Sequence, residues 1–305
     1  MAAVAPVRRA AIIGAGQMGL GIAYVTALHA RVPLTLHEPS PTVLSSALKR
    51  LDGLLSRDVE KGRISKDEAD AARGRVRGVE GDAAKGQGLE TDVDLVIEAI
   101  PEIPDLKTAL FKHLGEALPP SAILGSNTSS ISLTKLAAAA GSAKGEAGKE
   151  SAARVVGIHF FNPVPQMKLV EIIPALQTSP SVVERAVAFG KACKKEVTTS
   201  SDSPGFIANA ILMPMLNEAI FTLERGVATA EDIDKTFRLG MGHPMGPLAL
   251  ADLIGLDTCL AIQRVLHNET GDSKYRPAGL LVRMVDAGWV GKKGGKGFYE
   301  YSEGK

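Results

Sequence analysis

The feature that most restricts the fold is a glycine-rich turn near the start of the chain. An apolar run over Ala10–Ile13 leads into Gly14-Ala15-Gly16-Gln17-Met18-Gly19, and apolar residues then recur at helical spacing to Leu28. A second apolar run, Leu34–Leu36, ends at Glu38. Strand, tight turn, helix and strand in this order predict a βαβ unit, in which a crossover helix joins two parallel strands.

The spacing of the three glycines predicts a dinucleotide-binding turn. Gly14 permits the tight turn, Gly16 lets the backbone approach a pyrophosphate, and Gly19 lets helix and strand pack closely. Gln17 and Met18 complete the turn at the helix N-terminus, where unpaired N–H groups favour phosphate. Glu38 follows Gly19 by 19 residues and could accept hydrogen bonds from both adenosine ribose hydroxyls. A carboxylate there repels a 2′-phosphate, which favours NAD over NADP.

The rest of the chain predicts two domains, residues 1–200 and 201–305. Up to Ser200-Ser201-Asp202, strand-like runs alternate with helical patterns, which predicts a Rossmann-type, mostly parallel sheet. From Pro204 onward only helical patterns appear, so the fold class is α/β followed by an all-helical C-terminal domain. The stretch Gly141–Ala152 is rich in Gly, Ala, Ser, Lys and Glu, and we interpret it as a mobile surface loop.

Composition excludes several kinds of partner. The net charge is +1 and aromatic residues make up 4%, which argues against nucleic acid and against an anionic membrane surface. The two cysteines, Cys193 and Cys259, are too few for a disulfide framework or a zinc site, so no metal is predicted. No apolar run reaches the length of a membrane span, and the cytoplasm is the expected compartment.

Three segments contain polar residues that secondary structure and core packing alone do not require. Ser126-Asn127-Thr128-Ser129-Ser130 follows a predicted strand, at the sheet edge where ligands bind, although a helix N-cap cluster is an equally good interpretation. Asn209 stands early in an otherwise apolar helix, and a buried amide needs a partner in the structure or in a substrate.

The third segment contains a histidine and a carboxylate. His159 ends an apolar strand, where most histidines are satisfied core residues. Glu171 follows 12 residues later, past a proline turn, and a hairpin-like return would bring the two side chains together. A carboxylate on one imidazole nitrogen fixes the tautomer and raises the basicity of the other. The pair could accept a proton from a substrate hydroxyl while the carbon that carries this hydroxyl loses a hydride.

Taken together, the motifs resemble the 3-hydroxyacyl-CoA dehydrogenase family, and within it the branch that acts on 3-hydroxybutyryl-CoA. The resemblance runs from Ala10 to Tyr301 and includes three further motifs. They are Gly242-His243-Pro244-Met245-Gly246-Pro247, Asp252-Leu253-Ile254-Gly255-Leu256-Asp257 and Gly291-Lys292-Lys293-Gly294-Gly295-Lys296-Gly297-Phe298-Tyr299.

The resemblance implies roles for individual residues. His159 would be the general base and Glu171 its orienting partner, while Ser129 and Asn209 would bind the substrate oxygen. Lys61 falls near a position that meets coenzyme A. Family positions that contact the nicotinamide cofactor are matched by Glu102, Lys107, Asn162 and Lys293.

The resemblance also implies the reaction and the assembly. The expected activity is NAD-dependent interconversion of an (S)-3-hydroxyacyl-CoA and its 3-oxoacyl-CoA, in a homodimer formed through the helical domain. The alternatives are a gulonate-type sugar-acid dehydrogenase on the same scaffold and a non-catalytic NAD-binding protein. Two departures stand out: the stretch Gly141–Ala152 is longer than is usual, and Glu38 stands where Asp is commoner.

Overall fold

A computed structural model of the chain describes residues 5–301. The chain divides into two compact units, Met1–Ser203 and Pro204–Lys305. The first is an α/β unit and the second is helical. The division falls three residues after the predicted domain boundary at residue 200.

An eight-stranded sheet forms the centre of the α/β unit. Its strands lie in the order β3-β2-β1-β4-β5-β6-β7-β8. All neighbouring pairs are parallel except β6 and β7, which are antiparallel. The prediction of a mostly parallel sheet is therefore confirmed. The strands are β1 (Ala10–Ile13), β2 (Leu34–Glu38), β3 (Val76–Glu80), β4 (Leu95–Glu98), β5 (Ile123–Ser126), β6 (Val155–Phe160), β7 (Leu169–Pro174) and β8 (Glu196–Thr199).

Helices connect the strands and cover them. They are α1 (Gln17–Val25), α2 (Pro41–Glu60), α3 (Lys66–Gly74), α4 (Pro104–Ala117), α5 (Leu133–Ala140), α6 (Glu146–Ala153) and α7 (Pro180–Ala192). A capping box begins α3, where the Ser65 side chain accepts from the Glu68 amide and the Glu68 side chain accepts from the Ser65 amide. Strands β1, β4 and β5 are buried along their whole length, as expected for parallel strands with both faces covered.

The prediction of a surface loop over Gly141–Ala152 is wrong for most of this stretch, because its second half forms the helix α6. Close packing explains the helix: a Cβ added to Gly148 would lie 1.9 Å from the Ala143 carbonyl oxygen. Ser151 is buried and donates to the Gly115 carbonyl at the end of α4. Arg154 donates to that same carbonyl, so the segment completes the C-terminal end of α4.

The helical unit contains five helices within the described residues. They are α8 (Ala208–Glu224), α9 (Ala230–Gly240), α10 (Pro247–Ile254), α11 (Leu256–Thr270) and α12 (Gly279–Asp286). The sequence predicts one helix over Leu248–His267, whereas the structure divides it at Gly255, whose φ of +104° ends α10. Of the helices in residues 5–301, none combines the length and apolarity that crossing a bilayer requires.

Candidate active site

The glycine-rich turn lies between the C-terminal ends of β1 and β4. A Cβ at Gly14 would meet the Ala99 carbonyl oxygen at 2.6 Å, and one at Gly19 would meet the Gly14 oxygen at 1.8 Å. At Gly16 the same test finds open space on the described part of the chain. Gly16 is the N-cap residue of α1, so the open space beside it lies at a helix N-terminus, which fits a pyrophosphate.

Glu38 completes the turn from the end of β2. Its Oε2 accepts from the Ala15 amide at 3.2 Å, and its Oε1 accepts from the Ser40 amide at 3.2 Å. The Gly14 amide donates to the His37 carbonyl at 2.9 Å, which holds the turn against β2. The carboxylate therefore stands beside the glycine turn, where the adenosine ribose of a dinucleotide would be bound.

His159 and Glu171 face each other across the antiparallel pair of β6 and β7, where the register places them directly opposite. His159 Nδ1 lies 2.8 Å from Glu171 Oε2, and both residues are buried. An ionised carboxylate can only accept, so Nδ1 carries the proton and the tautomer is fixed. The predicted hairpin-like return thus brings the two side chains into contact.

The loop after β6 is tied to the glycine turn. Gln17 Nε2 donates to Asn162 Oδ1 at 2.8 Å, which joins two predicted cofactor residues. The buried Lys195 donates from Nζ to the Val164 carbonyl at 2.6 Å and to the Met167 carbonyl at 2.7 Å. This loop therefore has a defined place between the strand that carries His159 and the helix that follows the glycines.

Two glutamates and a lysine form a network at the ends of β4 and β5, in which Glu98 and Lys107 are buried and Glu102 is partly exposed. Lys107 Nζ lies 2.6 Å from Glu98 Oε1 and 2.8 Å from Glu102 Oε2. Burial raises the pKa of Glu98. Burial opposes the charged form of Lys107 as well, but the two carboxylates outweigh it and raise the pKa of Lys107. For Glu102, burial is outweighed by the Lys107 charge and by hydrogen bonds, which lower its pKa.

The Ser126–Ser130 loop is held by this network. Glu102 Oε1 accepts from the amides of Ser129 at 2.9 Å and Ser130 at 3.1 Å, and from Thr128 Oγ1 at 2.5 Å. The following helix α5 is capped by Ser132, outside the loop, so the N-cap interpretation of residues 126–130 does not hold. Ser129 itself is accessible at the carboxyl edge of the sheet.

Sequence reasoning missed Glu98 and Asn127 in this region. Asn127 Oδ1 accepts from the Phe160 amide at 2.8 Å and so joins the end of β5 to the end of β6. For Glu98 a signal was present, since a carboxylate on a strand that is otherwise Leu, Val and Ile needs a charged partner. The partner, Lys107, lies a loop and a helical turn away and shares no local pattern with it.

A groove of about 790 Å³ lies on the α/β unit beside the glycine helix. Gln17 and Asn162 line one part of it, and Lys61, after the C-terminus of α2, lines another. Its lining includes more cationic than anionic side chains. The cationic ones are Arg31, Arg50, Arg57, Lys61, Arg63 and Lys194, against Asp58 and Glu68.

The remaining predicted residues belong to the helical unit. Asn209 is buried in the first turn of α8. Lys293 lies after α12, and its Nζ is 2.8 Å from Asp257 Oδ2. Their parts in binding stay predictions. Over residues 5–301, no group of three His, Cys, Asp or Glu side chains has the arrangement of a metal site.

The α/β fold and the glycine-rich turn after β1, with Glu38 beside it, define a dehydrogenase of the dinucleotide-binding class that uses NAD. Comparison with known sequences specifies it further: residues 9–203 match the family "3-hydroxyacyl-CoA dehydrogenase, NAD binding domain", and residues 205–301 match the corresponding C-terminal domain. The chain belongs to the 3-hydroxyacyl-CoA dehydrogenase family.

Individual relatives are similar over nearly their whole length. The chain is 46% identical to a probable 3-hydroxybutyryl-CoA dehydrogenase of Bacillus subtilis, covering 97% of this chain and 98% of that one. It is 45% identical to a 3-hydroxybutyryl-CoA dehydrogenase of Bradyrhizobium diazoefficiens, covering 100% and 98%. The crystal structure of (S)-3-hydroxybutyryl-CoA dehydrogenase from Ralstonia eutropha superposes with a TM-score of 0.88 at 41% identity, covering 97% and 100%.

Proposed function

We propose that the chain oxidises (S)-3-hydroxybutyryl-CoA to acetoacetyl-CoA with NAD and catalyses the reverse reduction, with His159 as acid and base. The observation that carries the proposal is the buried contact of 2.8 Å between His159 Nδ1 and Glu171 Oε2. The names of the relatives from Bacillus subtilis and Bradyrhizobium diazoefficiens support the substrate.

The route of the proton follows from the geometry of the His159–Glu171 pair. Because Glu171 engages Nδ1, proton exchange with the substrate runs through Nε2 of His159. In oxidation, Nε2 takes the proton of the 3-hydroxyl as C3 loses its hydride, and the Glu171 carboxylate stabilises the imidazolium. In reduction, the same nitrogen returns the proton to the ketone oxygen. NAD, when bound, supplies the acceptor of the hydride.

The substrate oxygen is proposed to be held by Ser129 and Asn209. Ser129 lies on the loop whose backbone amides donate hydrogen bonds to Glu102. These bonds fix the backbone position from which the Ser129 hydroxyl extends. Gln17, Met18, Glu38, Asn162 and Lys293 are proposed to bind the cofactor. Glu102 and Lys107 are assigned to the same cofactor site, although Lys107 is buried between two carboxylates.

The groove beside the glycine helix is proposed to take the coenzyme A part of the substrate. Its excess of arginine and lysine side chains, with Lys61 among them, is suited to the phosphates of that group. The groove also contains Gln17 and Asn162, so a ligand in it would reach the neighbourhood of the glycine turn. We further propose that two chains associate through their helical units.

The proposal is tested by the rate of NADH oxidation with acetoacetyl-CoA. His159→Ala is expected to lower turnover by a factor on the order of 10²–10⁴, because a positioned acid–base group is lost. Glu171→Gln is expected to cost less, since the imidazole remains. NADPH in parallel should be the poorer cofactor. His113→Ala, a half-buried histidine of α4, is the control and should keep wild-type turnover.

Three outcomes would count against this assignment. Near-wild-type turnover of His159→Ala would remove His159 from the reaction. Turnover of a sugar acid such as L-gulonate above that of the acyl thioester would favour the gulonate-type branch. Binding of NADH by the wild-type protein without turnover of any 3-oxoacyl-CoA would indicate a non-catalytic NAD-binding protein.

A further inference from the structure

The network of Glu98, Lys107 and Glu102 below the Ser126–Ser130 loop contains a carboxylate that no ligand can reach. Glu98 has a relative exposure of 0%, and its carboxylate is used entirely within the protein. Oε1 accepts from Lys107 Nζ at 2.6 Å and from the Ile100 amide at 2.8 Å, and Oε2 accepts from Ser126 Oγ at 2.7 Å. Any effect of Glu98 on the reaction must therefore pass through its neighbours.

Glu98 and Glu102 hold two points of the same loop. Glu98 holds the start of the loop through Ser126, whose Oγ also accepts from the Thr128 amide at 3.2 Å. Glu102 holds the middle of the loop through the Ser129 amide. Lys107 stands between the two carboxylates, within 2.8 Å of each, and so sets their separation.

A buried ion pair is an expensive way to stabilise a fold. Taking charges out of water costs several kcal/mol per ion, and apolar residues of the same volume often serve stability as well. Here the buried pair of Glu98 and Lys107 extends to the partly exposed Glu102, which accepts from the Ser129 amide. The arrangement is more easily understood as a device that fixes the loop than as a contribution to stability.

We propose that Glu98 is a positioning residue for Ser129, acting through Lys107 and Glu102 on the Ser126–Ser130 loop. The inference rests on the proposed contact between Ser129 and the substrate oxygen. With Gln at position 98, the Lys107 ammonium keeps a single anionic partner and moves toward Glu102. Glu102 and the Ser129 amide then lose their fixed separation from β4.

The test is a double-mutant cycle on kcat for acetoacetyl-CoA reduction with NADH. Glu98→Gln is expected to lower kcat about 10- to 100-fold, since a displacement of about 1 Å can cost that much. Ser129→Ala should cost at least about tenfold in the wild-type background but less than about threefold in the Glu98→Gln background, because both changes remove the same positioned hydroxyl. A purely structural role would not produce this non-additivity.

A matched control separates positioning from loss of stability. Leu114 is buried on α4, the helix that carries Lys107, but takes no part in the polar network. Leu114→Ala should lower the melting temperature, leave kcat unchanged well below that temperature, and combine additively with Ser129→Ala. If Glu98→Gln does not fold, Ser126→Ala takes its place, since it removes one of the same bonds without removing a charge.

The outcomes are distinct. Additive losses for Glu98→Gln and Ser129→Ala, or wild-type kcat in Glu98→Gln, would overturn the positioning role. Wild-type kcat in Ser129→Ala would overturn it too, while leaving the His159 assay intact. Failure of the proposed function itself is recognised separately, because the wild-type protein would then not reduce acetoacetyl-CoA with NADH.

Discussion

At the scale of single residues, two buried histidines show how a partner decides what a side chain can do. His159 has the Glu171 carboxylate at 2.8 Å from Nδ1. His37, on β2, has Thr35 Oγ1 at 2.8 Å from Nε2, and its Nδ1 finds no hydrogen-bond partner among residues 5–301. The carboxylate beside His159 is what the proposed proton transfer requires, whereas burial without a charged partner at the ring holds His37 neutral.

The neutral state of His37 predicts a loss of stability in acid. Burial lowers the pKa of His37 from 6.5 to about 4, and the charges of Glu90 and Arg77 contribute less. Between these values the unfolded chain binds more protons than the folded one, so stability falls as pH falls. The shift corresponds to about 3 kcal/mol of unfolding free energy, lost between about pH 6.5 and pH 4.

Urea unfolding at several pH values measures this effect. His37→Gln keeps a hydrogen-bonding group for Thr35 but cannot titrate, so its unfolding free energy should fall less than that of the wild-type protein over this interval. His113→Gln, on α4, should follow the wild-type curve. Parallel curves for the wild-type protein and His37→Gln would show that His37 does not titrate as a buried neutral base.

At the scale of elements, the sequence is informative where a pattern is local. Strands β1, β4 and β5 read as short apolar runs because both faces of a parallel sheet are covered. Edge strand β3 gave no such run, since Arg77 and Gly78 interrupt it and only Val76 is fully buried. Helix α6 could not be predicted either, because close backbone contacts at Gly148 stabilise it rather than an apolar face.

The candidate site divides in the same way. The contact of His159 and Glu171 could be predicted because both residues lie on one hairpin-like segment of chain. The contacts among Glu98, Lys107 and Glu102 could not be predicted from the sequence, because these residues meet only once β4, the following turn and α4 are packed. The hydrogen bond from Lys195 to the loop after β6 comes from a residue 31 positions further along the chain, just before β8, and no local pattern predicts it.

Two helical glycines give opposite predictions for the same substitution. A Cβ at Gly53, inside α2, meets no atom of the described chain within 4 Å, so Gly53→Ala should raise the unfolding free energy by roughly 0.5–1 kcal/mol. A Cβ at Gly148 would lie 1.9 Å from the Ala143 oxygen, so Gly148→Ala should lower it by about 1–3 kcal/mol. Urea unfolding of both variants checks the pair. Equal effects at the two positions would mean that α6 does not pack as described.

At the scale of the whole molecule, several large apolar side chains of the helical unit are exposed to water. Val227, Leu239 and Met241, around the two ends of α9, are 70%, 73% and 60% exposed. Large apolar side chains that stay exposed to water are candidates for a contact with another protein. A second copy of the chain is the partner that the family resemblance implies, and such a contact would bury residues that the isolated chain leaves in water.

This assembly is tested by the mass of the protein in solution. Light scattering on a sizing column should give twice the chain mass of 31.9 kDa at micromolar concentration. The double variant Leu239→Glu with Met241→Glu should shift the protein toward the single-chain mass, because a two-fold contact would bring like charges together at a cost of several kcal/mol. Leu176→Glu, at a 90% exposed leucine of the α/β unit, is the control and should keep the wild-type mass. A wild-type protein that elutes as a single chain at all concentrations would contradict the dimer, whereas an unchanged mass in the double variant would remove Leu239 and Met241 from the contact.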